Sequence, residues 1–198
     1  MQSESQPTGH PPEIPPAVCI VGRKNSGKTT LTVALAALLK RDGYRVATIK
    51  HGHHAFETDE PGRDSWRHFN EGNAEATLMC GTGKVALTMR IDGEPDPESL
   101  IRQFYAGRGY DVVLVEGFKH GRLPRIEVFR RGVHDAPLHE PDSAQARAQV
   151  FAFVTDDPTL FTRAVEHHAF VIPIDRMGMH VGVLADAIEQ FIIGGHAR

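Results

Sequence analysis

Hydrophobic residues along this chain fall into short runs that alternate with segments of helical periodicity. Residues 17–21 (AVCIV) are continuously apolar, which is typical of a strand buried on both faces of a sheet. Leucines recur at helical spacing within residues 29–41, and Gly43 follows as a C-cap, so we predict a helix there. Residues 44–50 (YRVATIK) return to a strand pattern. Together these segments predict a βαβ unit, the building block of a parallel sheet.

The same alternation continues along the chain without internal repeats. It predicts a hairpin with arms at 75–80 and 84–90, strands at 111–115, 125–130, 150–154 and 170–174, and helices at 63–71, 97–105, 158–165 and 181–192. The strand at 125–130 is expected to be half exposed, because its polar and apolar residues alternate. Residues 135–149 are polar and irregular, and we expect a long loop there. The fold class is therefore α/β, with a mainly parallel sheet and an added β-hairpin.

The chain has 198 residues, which is enough for one domain of ordinary size. Five of its 13 prolines lie within residues 1–16, so we predict a disordered N-terminal tail there. Residues 17–193 then form a single domain, and 194–198 a short tail.

Charge and composition exclude several classes of partner. The formal net charge is −3, so a general attraction to nucleic acid or to an anionic membrane is not expected. There is no signal-peptide pattern, and the longest strictly apolar stretch, residues 33–39, is too short to span a bilayer. Two cysteines cannot build a disulfide framework. We therefore expect a cytoplasmic protein whose anion sites are local.

One glycine-rich stretch carries the clearest chemistry. Residues 19–31, CIVGRKNSGKTTL, match the phosphate-loop pattern G-x-x-x-x-G-K-[ST] between a predicted strand and a predicted helix. Inward-facing N–H groups and the helix N-terminus would surround a phosphate, Lys28 would neutralise the β- and γ-phosphates, and Thr29 would offer a hydroxyl to Mg²⁺. This predicts a nucleoside triphosphate site in a three-layer P-loop NTPase-type fold. Its binding residues are Gly22, Asn25, Ser26, Gly27, Lys28, Thr29 and Thr30.

P-loop proteins place an acid at the end of a second buried strand, and DVVLVEG (111–117) offers two. Asp111 lies five residues before Glu116, about 17 Å away at a rise of ~3.3 Å per residue. Ligands gather at the carboxyl ends of parallel strands, so Glu116 is the acid predicted to hold Mg²⁺ with Thr29, directly or through water. A solvent-facing charge at the end of a strand is the alternative.

A histidine-rich segment follows the second predicted strand. Lys50 and His51 leave its carboxyl end beside the same crevice, where they could contact phosphate or substrate. A metal site formed by His51, His53 and His54 is the alternative, but Zn²⁺ requires three or four converging ligands, and positions this close cannot all converge without others.

Several motifs together resemble one known family. The phosphate loop is followed, in that family's order, by IKHGHH (49–54), DEPGRDSWR (59–67), VEGFKHGRLPRIEVFR (115–130) and VTDDP (154–158). Over residues 18–191 the chain resembles the MobB family, the adaptor proteins of molybdopterin-guanine dinucleotide biosynthesis. The resemblance implies a dimeric protein that binds GTP with Mg²⁺, hydrolyses it weakly, and assists the guanylyltransferase that attaches GMP to molybdopterin.

The resemblance also assigns residues. It places Glu116 and Lys119 at the nucleotide site, beside the phosphate loop. Asp59 and Asp64 match the family's acidic loop, at the place where P-loop GTPases have a switch. A Mg²⁺-linked or water-orienting role in catalysis is therefore the hypothesis for Asp59, Asp64 and Glu116. Capping of the helix that follows is the alternative for Asp64.

Recognition of guanine would require a carboxylate near the base. Asp156 and Asp157 follow the strand at 150–154, and a carboxylate there can accept hydrogen bonds from both N1–H and the 2-amino group of guanine. Asp156 is the predicted reader. Capping of the helix that begins near Pro158 is an equal alternative from the sequence alone.

Two other functions share the phosphate loop. A small-molecule kinase uses the same lysine and Mg²⁺ arrangement, and a nickel or zinc insertion GTPase would use some of the 12 histidines. The hairpin at 75–90 could pair with a second subunit, because exposed strand edges must be paired or protected.

Overall fold

The computed structural model of this chain describes residues 13–52, 57, 59–168, 170–174 and 177–196. The strands are β1 (Ala17–Val21), β2 (Val46–Lys50), β3 (Ala76–Gly81), β4 (Lys84–Met89), β5 (Val112–Glu116), β6 (Arg125–Phe129), β7 (Val150–Thr155) and β8 (Phe170–Pro173). The helices are α1 (Lys28–Arg41), α2 (Asp64–Asn70), α3 (Pro97–Tyr105), α4 (Ala144–Gln149), α5 (Pro158–Val165), α6 (Met177–Ile188) and α7 (Gly194–His196), with a π-helical stretch at Glu189–Ile193 between the last two.

Six strands form one parallel sheet in the order β2-β5-β1-β6-β7-β8. Ile20 lies opposite Glu116, and Glu116 lies opposite Lys50, so the carboxyl ends of β1, β5 and β2 reach the same edge of the sheet. The connection after β1 leads to β2, at one edge of the sheet. The connection after β6 leads to β7, towards the opposite edge. Parallel sheets bind ligands where the strand order reverses in this way, so the fold directs a ligand to the end of β1.

Helices and loops cover the sheet on both faces. On one face, alternate residues of the central strands pack with α1 and α6 in a core that includes Val18, Ile20, Leu31, Leu35, Leu114 and Leu184. On the other face there are two smaller clusters. One packs beneath α3 and includes Val113, Val115 and Ile101. The other packs beneath α5 and includes Phe153, Leu160 and Ala164. This arrangement confirms the predicted three-layer P-loop NTPase-type fold.

Two helices have the bounds that the sequence predicts. Each of them begins at a complete start signal, an aspartate cap followed by a proline. The Asp96 side chain accepts hydrogen bonds from the N–H groups of Glu98 and Ser99, and Pro97 occupies the first turn of α3. Asp157 caps α5 in the same way, again with a proline in the first turn. Proline suits this position because its missing N–H would have no helical partner.

Three sequence expectations are wrong. Residues 125–129 are fully buried rather than half exposed, because β6 lies between β1 and β7 and its polar side chains find partners inside. The expected loop at 135–149 contains α4, which Ser143 caps by accepting a hydrogen bond from the N–H of Ala146. The last helix begins at Met177 and becomes π-helical at Glu189.

The chain divides into two compact units. The first contains the described residues up to His51 and those from Asp96 onward, and the second is Gly52–Pro95. The second unit consists of α2 and the antiparallel hairpin β3–β4, whose predicted pairing is confirmed, with Leu78 opposite Leu87. Among the described residues, no helix is both long and apolar enough to cross a membrane.

Candidate functional site

The phosphate loop connects β1 to α1, and its backbone shape depends on glycine at two positions. Gly22 and Gly27 have φ values of 148° and 100°, a region that L side chains rarely adopt. A Cβ atom on Gly22 would lie 2.4 Å from the carbonyl oxygen of Val128, so glycine also permits the close approach of β6. Asn25 adopts a left-handed φ of 62°, which asparagine tolerates better than most residues. The loop is therefore a tight, strained turn held by its surroundings.

The loop ends at the N-terminus of α1. Gly27 is the N-cap residue and supplies no side-chain cap, and the first turn contains no acidic residue. The first N–H groups of a helix have no partners within the helix, and they carry the positive end of its dipole. Thr30 lies exposed in this turn. A phosphate is the kind of ligand that such a helix start attracts.

Ser26, the predicted binding residue between Asn25 and Gly27, is fully buried. Its hydroxyl faces Gly22 and has no hydrogen-bond partner among the described residues. The Ser26 side chain thus fills the inside of the turn, and the part it takes in binding remains a prediction.

Side chains from three elements converge beside the loop. The Thr29 hydroxyl donates a hydrogen bond to Oε1 of Glu116 at 2.7 Å. The Lys50 Nζ lies 3.5 Å from the same carboxylate oxygen and 3.5 Å from the Thr29 hydroxyl. Glu116 is only 7% exposed. The structure therefore brings together the predicted Mg²⁺ ligands, Thr29 and Glu116, at the carboxyl end of the sheet.

The competing acid, Asp111, lies before β5 rather than after it. Its carboxylate accepts a hydrogen bond from the backbone N–H of Arg45 at 2.6 Å. It therefore serves the connection into β2 at the opposite end of the strand. Of the two acids, only Glu116 lies at the carboxyl end of β5, and its role in holding Mg²⁺ remains a prediction.

Lys28 lies in an environment that is short of negative charge. Its Nζ donates a hydrogen bond to the carbonyl oxygen of Arg23 at 2.7 Å. Burial lowers the pKa of Lys28 below its usual value; Glu116 opposes this shift, while Lys119 and Lys50 add to it. Two further ammonium groups and one carboxylate therefore act on the charge of Lys28. An anion placed among these lysines would be stabilised by their excess of positive charge.

The segment after β5 forms one wall of this region. Gly117 has a φ of 101°, and a Cβ there would lie 3.0 Å from the Cβ of His51, so only glycine fits easily. The rings of Phe118 and His51 stack with their centroids 4.3 Å apart, and Phe118 itself has a left-handed φ of 49°. The N–H of His51 donates to the carbonyl oxygen of Glu116 at 2.8 Å. The end of β5 at Glu116 is thus fixed by the backbone bond from His51 and by the turn at Gly117 and Phe118.

The two aspartates after β7 have different surroundings. Asp157 is the N-cap of α5, so capping explains this residue and not Asp156. Asp156 accepts a hydrogen bond from the N–H of Arg131 at 2.8 Å and pairs with the Arg130 guanidinium at 3.4 Å. The Asp156 carboxylate is therefore already bonded within the protein, and its recognition of guanine remains a prediction.

Asp59 and Asp64 belong to the second unit. The Asp59 carboxylate accepts a hydrogen bond from the Ser65 hydroxyl and another from the Glu60 N–H. The bond from Ser65 is the main reason that the pKa of Asp59 is lowered. Asp64 is the first residue of α2, whose N-cap is Arg63, so Asp64 is not the capping residue. The catalytic roles of both aspartates remain predictions.

Sequence reasoning assigned no role to Glu127 and His139, yet the structure buries them together. His139 Nδ1 lies 2.6 Å from the Glu127 carboxylate, and the two residues are 7% and 1% exposed on their side chains. The one signal available in the sequence was the acid Glu127 between two apolar residues of a predicted strand.

Metal sites formed by protein side chains alone are not found in the described part of the chain. No group of three or more histidine, cysteine, aspartate or glutamate side chains is placed there to hold an ion. His53 and His54, on which the histidine metal site depended, lie outside the described residues.

Comparison with known proteins decides the family. Residues 17–156 match the family model described as "Molybdopterin guanine dinucleotide synthesis protein B", MobB. This chain belongs to the MobB family. The molybdopterin-guanine dinucleotide biosynthesis adapter protein of Haemophilus influenzae is 34% identical over 89% of this chain and 89% of its own length. The Escherichia coli adapter protein is 35% identical over 72% of this chain and 79% of its own length.

Solved MobB structures share the fold. Bacillus subtilis MobB superposes with a TM-score of 0.65 at 24% identity, covering 89% of this chain and 98% of that one. A MobB homolog from Bacillus stearothermophilus gives a TM-score of 0.59 at 24% identity, with coverages of 88% and 98%. At this level of identity the likeness concerns architecture alone.

Proposed function

We propose that this chain is a GTP-binding adaptor that assists the conversion of molybdopterin to molybdopterin guanine dinucleotide, with slow GTP hydrolysis. The observation that carries the proposal is the 2.7 Å hydrogen bond between Thr29 and Glu116 at the end of a glycine-shaped phosphate loop. The names of the relatives in Haemophilus influenzae and Escherichia coli support the pathway. The lysines around Glu116 support binding of a polyphosphate.

Magnesium fits the donor set at this position. Thr29 and Glu116 offer a hydroxyl and a carboxylate oxygen, the hard donors that Mg²⁺ takes when it is bound mainly through phosphates and water. The ion would neutralise charge on the β- and γ-phosphates. Lys28 would release the Arg23 carbonyl and donate to phosphate instead, while Lys50 and Lys119 would contribute long-range attraction.

Base recognition is assigned to the ends of β7 and β8. An open cavity of about 370 Å³ there is lined by Thr155, Asp156, Asp157, Pro158, Phe161, Thr162 and Pro173. Asp156 lines this cavity, and a guanine whose N–H groups donate to its carboxylate would compete with Arg130 and Arg131 for that acceptor. Guanine preference therefore depends on rearrangement around Asp156.

Hydrolysis is assigned to the acidic loop. The hydrogen bond from Ser65 lowers the pKa of Asp59 further below neutrality, and an ionised carboxylate is what a residue needs to orient a water molecule or contact a Mg²⁺-bound one. Asp64 lies at the start of α2 with its charge on the favourable side of the helix dipole. Neither residue is proposed to transfer a nucleotide.

The hairpin β3–β4 is proposed as the interface of a homodimer. One face of it presents Leu78, Val85 and Leu87, which are 59%, 68% and 48% exposed. Apolar side chains at this exposure favour pairing with a second copy. The other proposed partner is the guanylyltransferase of the pathway, and we place the assembly in the cytoplasm.

Calorimetric titration of GTP and ATP, each with and without Mg²⁺, tests the nucleotide proposal. We expect GTP to bind more tightly than ATP, Asp156→Asn to weaken GTP much more than ATP, and the exposed Asp186→Asn to change neither. Equal losses for both nucleotides would show that Asp156 does not read the base. Glu116→Gln is expected to abolish the gain from Mg²⁺.

The adaptor role needs a separate assay. Added to purified guanylyltransferase, GTP and molybdopterin, the chain is expected to raise the yield of molybdopterin guanine dinucleotide, and Lys28→Ala is expected to remove that gain. Transfer of phosphate to a small metabolite would instead support the kinase alternative. Tight, stoichiometric binding of nickel or zinc that is lost when His51 and His53 are both replaced would support the metal-insertion alternative.

A further inference from the structure

The loop after β6 is fastened to the interior by a buried acid. Oε1 of Glu127 accepts a hydrogen bond from the N–H of Leu138 at 2.5 Å, and Oε2 accepts from the N–H of His139 at 3.1 Å and faces its Nδ1 at 2.6 Å. Glu127 is 1% exposed and lies in the middle of the sheet. A buried carboxylate is costly unless such donors satisfy it, so this loop conformation is specified strongly.

Further contacts fasten the same loop near its end. The Arg163 guanidinium of α5 pairs with Glu140 at 3.0 Å and with Asp142 at 2.8 Å. A ring nitrogen of His168 lies 2.9 Å from the carbonyl oxygen of Pro141. We call residues 131–142 the brace loop. It is anchored to the sheet by Glu127 and to the α5 side of the fold by these contacts.

The middle of the brace loop contacts the phosphate loop. Nε of Arg23 donates to the carbonyl oxygen of Ala136 at 3.0 Å. His134 Nε2 lies 2.6 Å from the carbonyl oxygen of Lys24, and since a carbonyl only accepts, the ring nitrogen must donate. Both contacts fall immediately before Asn25, the residue with the strained left-handed backbone. The brace loop therefore holds the phosphate loop where its conformation is least favourable.

The beginning of the brace loop is tied to the strand end assigned to the base. The N–H of Arg131 donates to Asp156 after β7. The loop thus connects, through protein hydrogen bonds, the residues proposed for the base and the residues that surround the phosphates.

We propose that Glu127 and His134 are positioning residues, which act through the brace loop to hold the phosphate loop in its anion-binding shape. This rests on the proposed nucleotide site but adds residues that do not touch the ligand. Without the brace, the free protein would spend part of its time with other conformations at Arg23–Asn25. Apparent affinity would then fall by the fraction of molecules that remain competent to bind.

Two measurements on the full chain test the proposal together. Hydrogen exchange of the nucleotide-free protein at residues 22–27 reports the shape of the phosphate loop directly, and titration with Mg²⁺–GTP reports affinity. In His134→Ala we expect faster exchange confined to this loop, and an affinity roughly fivefold to tenfold weaker, the worth of about one hydrogen bond. His134→Gln, whose amide N–H can replace Nε2–H, is expected to restore most of both. His68→Ala, an exposed histidine in the other unit, is the matched control and should change neither.

Glu127→Gln tests the anchor. An amide cannot accept from all three donors, so we expect faster exchange at 134–139 as well as at 22–27. Should this buried variant fail to fold, the variants of the half-buried His134 still decide the proposal.

Unchanged exchange at 22–27 in His134→Ala would overturn the brace. If wild-type protein binds no GTP, the proposed function fails, while the exchange experiment still judges the brace by itself.

Discussion

The phosphate-loop region and the hairpin unit differ most in burial. Every residue of β1, β5 and β6 is buried, whereas no described residue between Gly52 and Pro95 is. Burial of apolar surface is the main source of stability, and an isolated two-stranded hairpin is marginal in water. A region with a deep core can hold a strained turn at Asn25. A region without one must gain its order from a surface that covers it, as the proposed dimer would.

Truncating one leucine in each region to alanine should give the largest difference in unfolding free energy between the two regions. Leu35 is fully buried, and Leu35→Ala is expected to cost about 2–5 kcal/mol of unfolding free energy. Leu87 is 48% exposed, and Leu87→Ala is expected to cost at most about 0.5 kcal/mol in the monomer. Urea unfolding at several protein concentrations measures both.

The comparison would break if Leu87→Ala cost as much as Leu35→Ala at every concentration, because the hairpin would then have a core of its own. It would be sharpened if Leu87→Ala lost stability only at high protein concentration, and if this variant sedimented as a smaller species than the wild type at that concentration.

Adding a methyl group to one glycine in each region gives the next largest difference. Gly22 and Gly83 both have positive φ, so alanine at either should cost about 1–2 kcal/mol for the backbone alone. At Gly22 the new Cβ also meets the Val128 carbonyl oxygen, which should add about 1–3 kcal/mol and impair nucleotide binding. Apart from its chain neighbours, no described residue has an atom within 4 Å of a Cβ on Gly83. Thermal unfolding of the two variants should therefore differ; equal melting temperatures would argue against the close packing of β6 on the phosphate loop.

Local signals predicted much of this fold from the sequence. The first residues of α3 and α5 follow from an Asp-Pro start that supplies both a cap and a first residue, and β1 follows from an unbroken apolar run. The position of Glu116 follows from counting along a strand, and its neighbour Thr29 from the motif. In each case the decisive partner lies within a few residues, or the strand direction alone fixes the geometry.

Long-range partners explain what the sequence did not predict. The strand β6 looked amphipathic because Glu127 and Arg125 are charged, but their partners come from the connecting segments, such as His139 and the carbonyl of Gly121. The bond between Asp156 and Arg131 has the same character. The periodicity of a sequence does not predict a pairing between a strand and a loop that folds back over it.

A smaller effect concerns protons. Burial lowers the pKa of Lys28 in the free protein, and a bound phosphate should raise it again. Between those two pKa values, binding must take up a fraction of a proton, and GTP affinity must fall as pH rises through this window. Calorimetry in buffers of different ionisation enthalpy measures the uptake. Release of protons, or an uptake that persists in Lys28→Ala, would contradict the assignment.

Binding of Mg²⁺–GTP by Lys28→Ala, measured calorimetrically against wild type, tests the central claim most directly. Lys40→Ala, at the far end of the same helix, controls for loss of a positive charge. The account predicts a roughly 10- to 100-fold loss for Lys28→Ala, the worth of a charge-assisted hydrogen bond, with an unchanged melting temperature and an unaffected Lys40→Ala. Equal GTP affinity in all three proteins would contradict it.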